Sequence, residues 1–283
     1  MMFCLLNGRL LPLAEARIDP AERGWTLADG CFETLRVVDG AAIRLEAHLG
    51  RLGRGLALLG IPAPDRADAA PALARLLGAN GRRDGVARLQ VTRGVAARRG
   101  LLPDDAGPPT VLLTLAPPAE RPDAPAPIEA IIAGVTRRNE WSPLSQVKAL
   151  ANYPDALLAL GEARRRGADD ALLLNTRGEL CCSSVANLWL ASGDTLRTPP
   201  LGSGATAGVV RAALLEAAPR LGLRVAETPL DPADLWAADE ALLTNSVRGV
   251  QSVVAVDGRP IGAGAPGPLS RRLLEWFLKE ERA

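Results

Sequence analysis

Lysine and histidine are almost missing from this chain. Of its 33 basic residues only Lys148 and Lys279 are lysines, and His48 is the single histidine. Each shortage excludes something. One histidine rules out multi-histidine metal sites, and a Ser-His-Asp triad would have to draw that residue out of a helical pattern. Leu45, Leu49, Leu52, Leu56 and Leu59 surround it at helical spacing, so His48 reads as structural. The four cysteines, Cys4, Cys31, Cys181 and Cys182, lack metal-ligand spacing and make no disulfide framework, so reduced and mostly buried thiols are expected. No apolar run reaches the roughly 18 residues that span a bilayer, and no charged segment leads into a cleavable apolar stretch. The chain therefore reads as cytoplasmic. A net charge of +1, with no basic stripe or aromatic platform, argues against nucleic acid and for a small-molecule ligand.

What remains is rich in arginine, and arginine stays protonated, so it cannot act as a nucleophilic amine. Lys148 lies between two apolar stretches, and desolvation lowers the pKa of a lysine amine. It is the candidate for Schiff-base chemistry, against the plainer reading of a surface lysine.

At 283 residues the length suits two domains. Residues 2–13 and 31–44 pattern as strands, with a hairpin turn at Asp39-Gly40, followed by helices near 45–59 and 66–78 and strands near 86–93 and 110–115. The proline-rich stretch 117–127 reads as an extended linker between an N-terminal α+β domain, 1–116, and a C-terminal domain, 128–283. The second domain should hold a strand at 128–134, a helix near 153–166, and a hairpin joining DALLLN to VANLWL through Thr176-Arg177-Gly178. Helices near 208–221 and 267–280 and strands at 223–228, 239–244 and 250–256 complete it.

The segments RGWTLADGCFETLRVVDG (23–40), HLGRL (48–52), TRG (92–94), RRNEWSPLSQVKALANY (137–153), GADDALLLNTRGELCCSSVANLWL (167–190), GATAGVVR (204–211) and ADEALLTNSVRGVQSV (238–253) follow one another in order. Together they resemble the class IV aminotransferases, the fold-type IV enzymes dependent on pyridoxal 5′-phosphate. Within that family, DGCFETLRVVDG and TRGVAARRG are most similar to 4-amino-4-deoxychorismate lyase. The resemblance implies a two-domain α+β fold, with a smaller N-terminal α/β sandwich and a larger C-terminal pseudo-barrel, the cofactor between them, and a homodimer.

It also implies roles. Lys148 matches the lysine that joins the cofactor and moves the substrate Cα proton. Arg51 matches the arginine on the cofactor phosphate, and Gly208, Val209 and Val210 the backbone cradle at a helix start. Ser246 aligns with a hydroxyl on the same phosphate, Tyr153 with a phenol near the cofactor's phenolic oxygen, and Asn187 with a supporting asparagine. Arg93, Arg99 and Arg138 are candidates for substrate carboxylates. One position departs: Cys182 stands where the family has a glutamate paired with the pyridine nitrogen, and Glu179 is out of register to replace it. A neutral thiol weakens the ring as an electron sink, which should harm transamination more than a lyase reaction driven by gaining an aromatic ring.

The expectation is a lyase that converts aminodeoxychorismate to 4-aminobenzoate, a folate precursor, and pyruvate. The alternatives are a branched-chain or D-amino acid aminotransferase and a catalytically impaired family member. A dinucleotide reading of GSGATAG (202–208), with Glu227 on a ribose, lacks the preceding buried strand that this fingerprint needs.

Overall fold

The computed structural model describes residues 1–98, 100–102, 106–119 and 124–280. Packing divides the chain into two units, residues 1–119 with 147–151 and residues 120–146 with 152–283. The lysine segment Val147–Ala151 thus folds with the first unit although both its flanks belong to the second.

The first unit contains β1 (Phe3–Leu6), β2 (Arg9–Pro12), α1 (Arg23–Leu27), β3 (Gly30–Val38), β4 (Ala41–Ala42), α2 (Leu45–Leu59), α3 (Ala69–Ala79), β5 (Gly85–Thr92) and β6 (Thr110–Ala116). The strands form one sheet in the order β2-β1-β6-β5-β3-β4, antiparallel at every pair. Asp39 and Gly40 both take positive φ, as a tight primed hairpin turn requires. Asn7 and Gly8 do the same, so the run 2–13 is a second hairpin and not one strand. Side chains alternate across a sheet. Leu35, Ala87, Leu89 and Leu113 share an apolar layer with Leu49, Leu52 and Leu56 of α2 and Leu73 of α3. Phe32, Thr34, Arg88 and Gln90, paired across β3 and β5, lie on the other face.

The second unit holds β7 (Ala126–Ile132), α4 (Tyr153–Arg165), β8 (Asp170–Leu174), β9 (Leu180–Ser183), β10 (Asn187–Ser192), β11 (Thr195–Thr198), α5 (Val209–Ala217), β12 (Arg224–Glu227), α6 (Pro232–Ala237), β13 (Glu240–Asn245), β14 (Gly249–Val256), β15 (Arg259–Pro260) and α7 (Pro268–Glu280). Strand order is β12-β11-β10-β13-β14-β7-β8-β9, with β15 on β14. Strand β9 ends that order yet turns back to the start of β10 through Ser183 N–H to Ala186 C=O, so the sheet curls. Strand β7 begins at Ala126, inside the stretch read as linker, and pairs parallel with both β14 and β8. Across the turn after β8 the partner is β9, whereas the VANLWL strand, β10, pairs with β13. The helix expected over 208–221 stops at Ala217 and tightens into a 3-10 turn over Ala218–Leu221, because Pro219 has no N–H to continue the ladder. Trp189, Leu196, Leu214, Leu273 and Phe277 join α5 and α7 to one face, while Ala159 and Ala163 let α4 approach Ile131, Leu173, Cys181 and Cys182.

Helix α2 carries three interior glycines, Gly50, Gly53 and Gly55, each costing about 1 kcal/mol relative to alanine in helix propensity. At Gly55 the packing explains the choice, since a Cβ would lie 2.8 Å from Cys31 Sγ and 3.5 Å from Val147 Cβ. At Gly50 the nearest atom is Arg54 Nη1 at 3.8 Å. Gly50→Ala should therefore stabilise the protein by about 0.5–1 kcal/mol, and Gly55→Ala should destabilise it by about 1–3 kcal/mol despite the same propensity gain. Urea midpoints of the two variants measure the contrast, and equal shifts of one sign would refute it.

Candidate active site

Strand β3 has a free edge where β4 does not reach, and the lysine segment fills it. Phe32 N–H donates to Lys148 C=O at 3.1 Å, and Cys31 bridges Ala149 in antiparallel fashion. Glycine at 55 lets α2 close over Cys31 and Val147. The Lys148 Nζ sits 4.2 Å from the centre of the Phe32 ring, and the Arg88 guanidinium lies at the same distance from that ring. Burial, reinforced by the Arg51 charge, lowers the Lys148 pKa to about 8. A useful fraction of neutral amine is thus present near pH 7, which a solvated lysine lacks.

On the other face of β3 is a buried ionic cluster. Glu33 is fully buried and accepts from Arg51 Nε at 2.7 Å, Arg51 Nη2 at 2.5 Å and His48 Nδ1 at 2.6 Å. Burial pushes the Glu33 carboxyl up, but these bonds more than offset it and hold the group below its usual range. Burial also draws the His48 pKa down. Its other nitrogen, Nε2, is buried with no partner. Burial, with Glu33 and Asp29 nearby, pushes the Cys31 thiol up to about 12.

The arginines considered for substrate are differently employed. Arg93 donates to Asp29 and to the Leu59 and Gly60 carbonyls, tying down the end of α2. Arg138 is buried and donates to the Gly204 and Ser145 carbonyls. Arg99 lies outside the described residues. Neither Glu33 nor Arg88 stood out in the sequence; for Glu33 the alternation of β3 holds the signal, a charge in a period otherwise made of Cys31, Leu35 and Val37, whereas Arg88 shares its period with Gln90 and Thr92 and gives none.

In the second unit, α5 begins at Gly208 without a side-chain cap, so the first-turn N–H groups at Val209 and Val210 face an uncapped helix start, where the dipole favours an anion. A Cβ at Gly208 would lie 1.9 Å from Asn187 Oδ1, so any side chain there would displace the Asn187 amide. Asn187 Nδ2 donates to Thr206 C=O at 2.9 Å and braces the loop leading in. Ser246 is half-buried in the turn between β13 and β14, and the half-buried Tyr153 opens α4.

The cysteine pair lies on a β-bulge. Leu173 faces Cys182 and Leu174 faces Leu180, which leaves Cys181 as the extra residue. A regular strand would turn adjacent side chains to opposite faces; the bulge brings both thiols into the layer with Ala159 and Ala163. Cys181 Sγ donates to Ser203 C=O at 2.6 Å. A hydrogen bond between the thiols pushes Cys181 up, together with burial, and draws Cys182 down. Glu179 is engaged elsewhere, with Arg177, Asn175 and Ser203, and the Arg177 bond holds its pKa at about 2.

The model of the class IV amino-transferase family matches residues 30–256. The chain belongs to the class IV aminotransferase family. It is 31% identical over 275 residues, 96% of this chain and 94% of the relative, to a Methanocaldococcus jannaschii protein provisionally assigned as a branched-chain-amino-acid aminotransferase. It is 30% identical over the same length and shares to the D-alanine aminotransferase of Bacillus licheniformis. The Escherichia coli branched-chain amino acid aminotransferase superposes with a TM-score of 0.92 at 24% identity, covering 98% of this chain and 94% of that one. The Thermobaculum terrenum branched-chain amino acid aminotransferase, in its PLP-bound holo form, gives 0.89 at 26%, covering 99% and 93%. Pyridoxal 5′-phosphate, an aldehyde on a phosphate ester, suits chemistry present in each unit taken by itself: the first offers a half-buried amine of lowered pKa, and the second a helix start without a side-chain cap.

Because Lys148 titrates near 8 when folded and near 10.5 when exposed, the unfolded chain binds more protons between those values, and stability rises with pH across that window. Lys148→Met should remove this dependence and raise stability at pH 7 by about 1–3 kcal/mol. Denaturant midpoints of both proteins at pH 7 and pH 10 test it; parallel shifts with pH would contradict the lowered pKa.

Proposed function

We propose that this protein is an aminotransferase that passes the amino group of a monocarboxylic amino acid, of the branched-chain or D-alanine kind, to a 2-oxo acid. The observation that carries the reading is the half-buried Lys148 side chain, of lowered pKa, sharing the Phe32 ring with the Arg88 guanidinium. Lys148 Nζ takes the substrate Cα proton and returns it, with a pKa near the working pH. Arg88 receives the substrate carboxylate, as a guanidinium fork suits. Arg51, oriented by Glu33, serves the cofactor phosphate, as do the Val209 and Val210 N–H groups and the Ser246 hydroxyl, while the Tyr153 hydroxyl binds the phenolic oxygen. Pyridoxal phosphate, when bound, supplies the electron-withdrawing ring that makes the Cα proton acidic. The named relatives that the chain spans almost end to end are aminotransferases.

The lyase acting on aminodeoxychorismate is the second reading, favoured by Cys182 at the position of the family's glutamate. Against it, a dicarboxylate substrate calls for paired cations, and Arg93 and Arg138 are tied to backbone carbonyls, whereas Arg88 donates to the Gln90 side chain. The working form is a homodimer in the cytoplasm. Trp25 and Leu27 in one unit and Trp141 and Leu157 in the other are exposed, as contact faces are. Among the described residues no helix is long and apolar enough to cross a membrane.

Cofactor-loaded protein should transfer amino groups from L-leucine or D-alanine to 2-oxoglutarate. Release of 4-aminobenzoate from aminodeoxychorismate without any such transfer would establish the lyase instead. Cys182→Glu should raise the transamination rate by about tenfold, a barrier change of about 1.4 kcal/mol, and an unchanged rate in a folded, cofactor-loaded variant would discard the weakened-sink argument.

A further inference from the structure

Helix α2 has a glycine that packing does not explain. Gly53 sits in its middle, and a Cβ there would meet only the tip of one flexible side chain, Arg66 Nη2 at 3.3 Å. What this glycine borders is a cavity. Between α2, α3 and one face of the first unit's sheet lies a space of about 490 Å³, whereas well-packed interiors hold few voids larger than a water molecule. Leu35, Leu89 and Leu113 of the sheet, Leu52 and Leu56 of α2 and Leu73 of α3 form its walls. The polar residues that line it, Asn7, Asp65, Arg66, Asp68 and Arg75, are all exposed, so they ring the mouth and leave hydrocarbon side chains inside. Its volume and lining are those of a small-molecule site, apolar within and polar at one end.

Most of the mouth residues are already employed. Asn7 Oδ1 accepts from Val111 N–H at 2.8 Å, Arg75 Nη1 donates to Gly8 C=O at 3.1 Å, and Asp65 Oδ1 accepts from Ala67 N–H at 2.9 Å. Asp68 stands at the start of α3, where the helix dipole favours its charge. Arg66 makes no hydrogen bond and no ion pair among the described residues, and its guanidinium reaches over Gly53 at the cavity wall. We propose that this cavity binds the anion of an unbranched aliphatic monocarboxylic acid of about ten carbons, with the chain among the leucines and the carboxylate on Arg66. Gly53 keeps the passage under Arg66 open for the chain. A cationic head group would meet only carboxylates that backbone N–H groups or a helix start already hold, and would face Arg66. The cavity lies across the sheet from Phe32, so the inference stands apart from the reaction proposed above.

Calorimetric titration of the full, cofactor-loaded chain with hexanoate, octanoate, decanoate and dodecanoate tests this. Affinity should rise about fourfold per added methylene and level off near about ten carbons, when the cavity is full. Decylammonium should bind at least about fivefold more weakly than decanoate. Arg66→Gln should weaken decanoate by about fivefold, the upper range for an exposed ion pair, and leave decanol unchanged. Gly53→Leu, which fills the passage, should remove saturable decanoate binding. A decanoate with a diazirine at its chain end, photolysed on the wild type, should label α2, α3 or the leucine face of the sheet; this reading survives a variant that does not fold. No saturable decanoate binding overturns the inference, as does binding that Gly53→Leu leaves intact or label confined to the Lys148 segment. Affinity that climbs past dodecanoate without levelling marks surface adsorption and overturns it too. Decylammonium binding as tightly as decanoate, or an undiminished affinity in Arg66→Gln, overturns the assignment of a carboxylate.

Discussion

One amine drawn partly out of water, with its pKa lowered, governs the chemistry available to this chain. Lys148 is seated by backbone pairing along the free edge of β3, with its carbonyl bonded to Phe32 and Ala149 bridged to Cys31. Burial there is the largest cause of its lowered pKa, ahead of the Arg51 charge. A strand edge is a natural seat for such a group, because unpaired N–H and C=O groups on an edge demand partners. The segment is thus fixed by main-chain bonds, leaving the side chain to its function. Its buried surroundings also make the ammonium costly in the folded state, as strained functional groups commonly are.

The same strand carries a second constraint on its opposite face. Glu33 is a fully buried carboxylate, stabilised only because Arg51 and His48 from α2 occupy both its oxygens. Removing one partner of such a cluster leaves an uncompensated charge, which is far costlier than the cluster's net worth. Strand β3 and helix α2 are therefore locked in register by charge as well as by the leucine layer, and the tight passage at Gly55 couples that lock to Val147, next to the lysine. In the second unit the corresponding device is steric. Gly208 lets the chain pass under Asn187 and leaves the start of α5 without a side-chain cap.

Much of this was legible in the residues. The 3.6-residue leucine period placed α2 at 45–59, matching Leu45–Leu59, since a surface helix must show its apolar stripe in sequence. Lys148 was conspicuous through the scarcity of lysine, and the motif order carried the family. Less was visible where non-local contacts decide. The Asn7-Gly8 turn divides what reads as one strand, Pro219 shortens α5, and the partner of β8 is β9 because the bulge at Cys181 creates a short extra strand. Arginines adjacent to a substrate-like motif, Arg93 and Arg138, proved to be donors to backbone carbonyls, while Arg88 sits with the lysine.

The sequence by itself determined the periodicities, the glycines that permit close passage, the one interior lysine of two among many arginines and the family, because these are properties of local order along the chain. Tertiary structure alone decided that Glu33, His48 and Arg51 form one ionic cluster and that Arg88 shares a ring with Lys148. It also decided that Cys181 and Cys182 face the same way. Each of these joins residues far apart in sequence, or breaks the alternation of a strand, through contacts that exist only once the sheets have closed and excluded water.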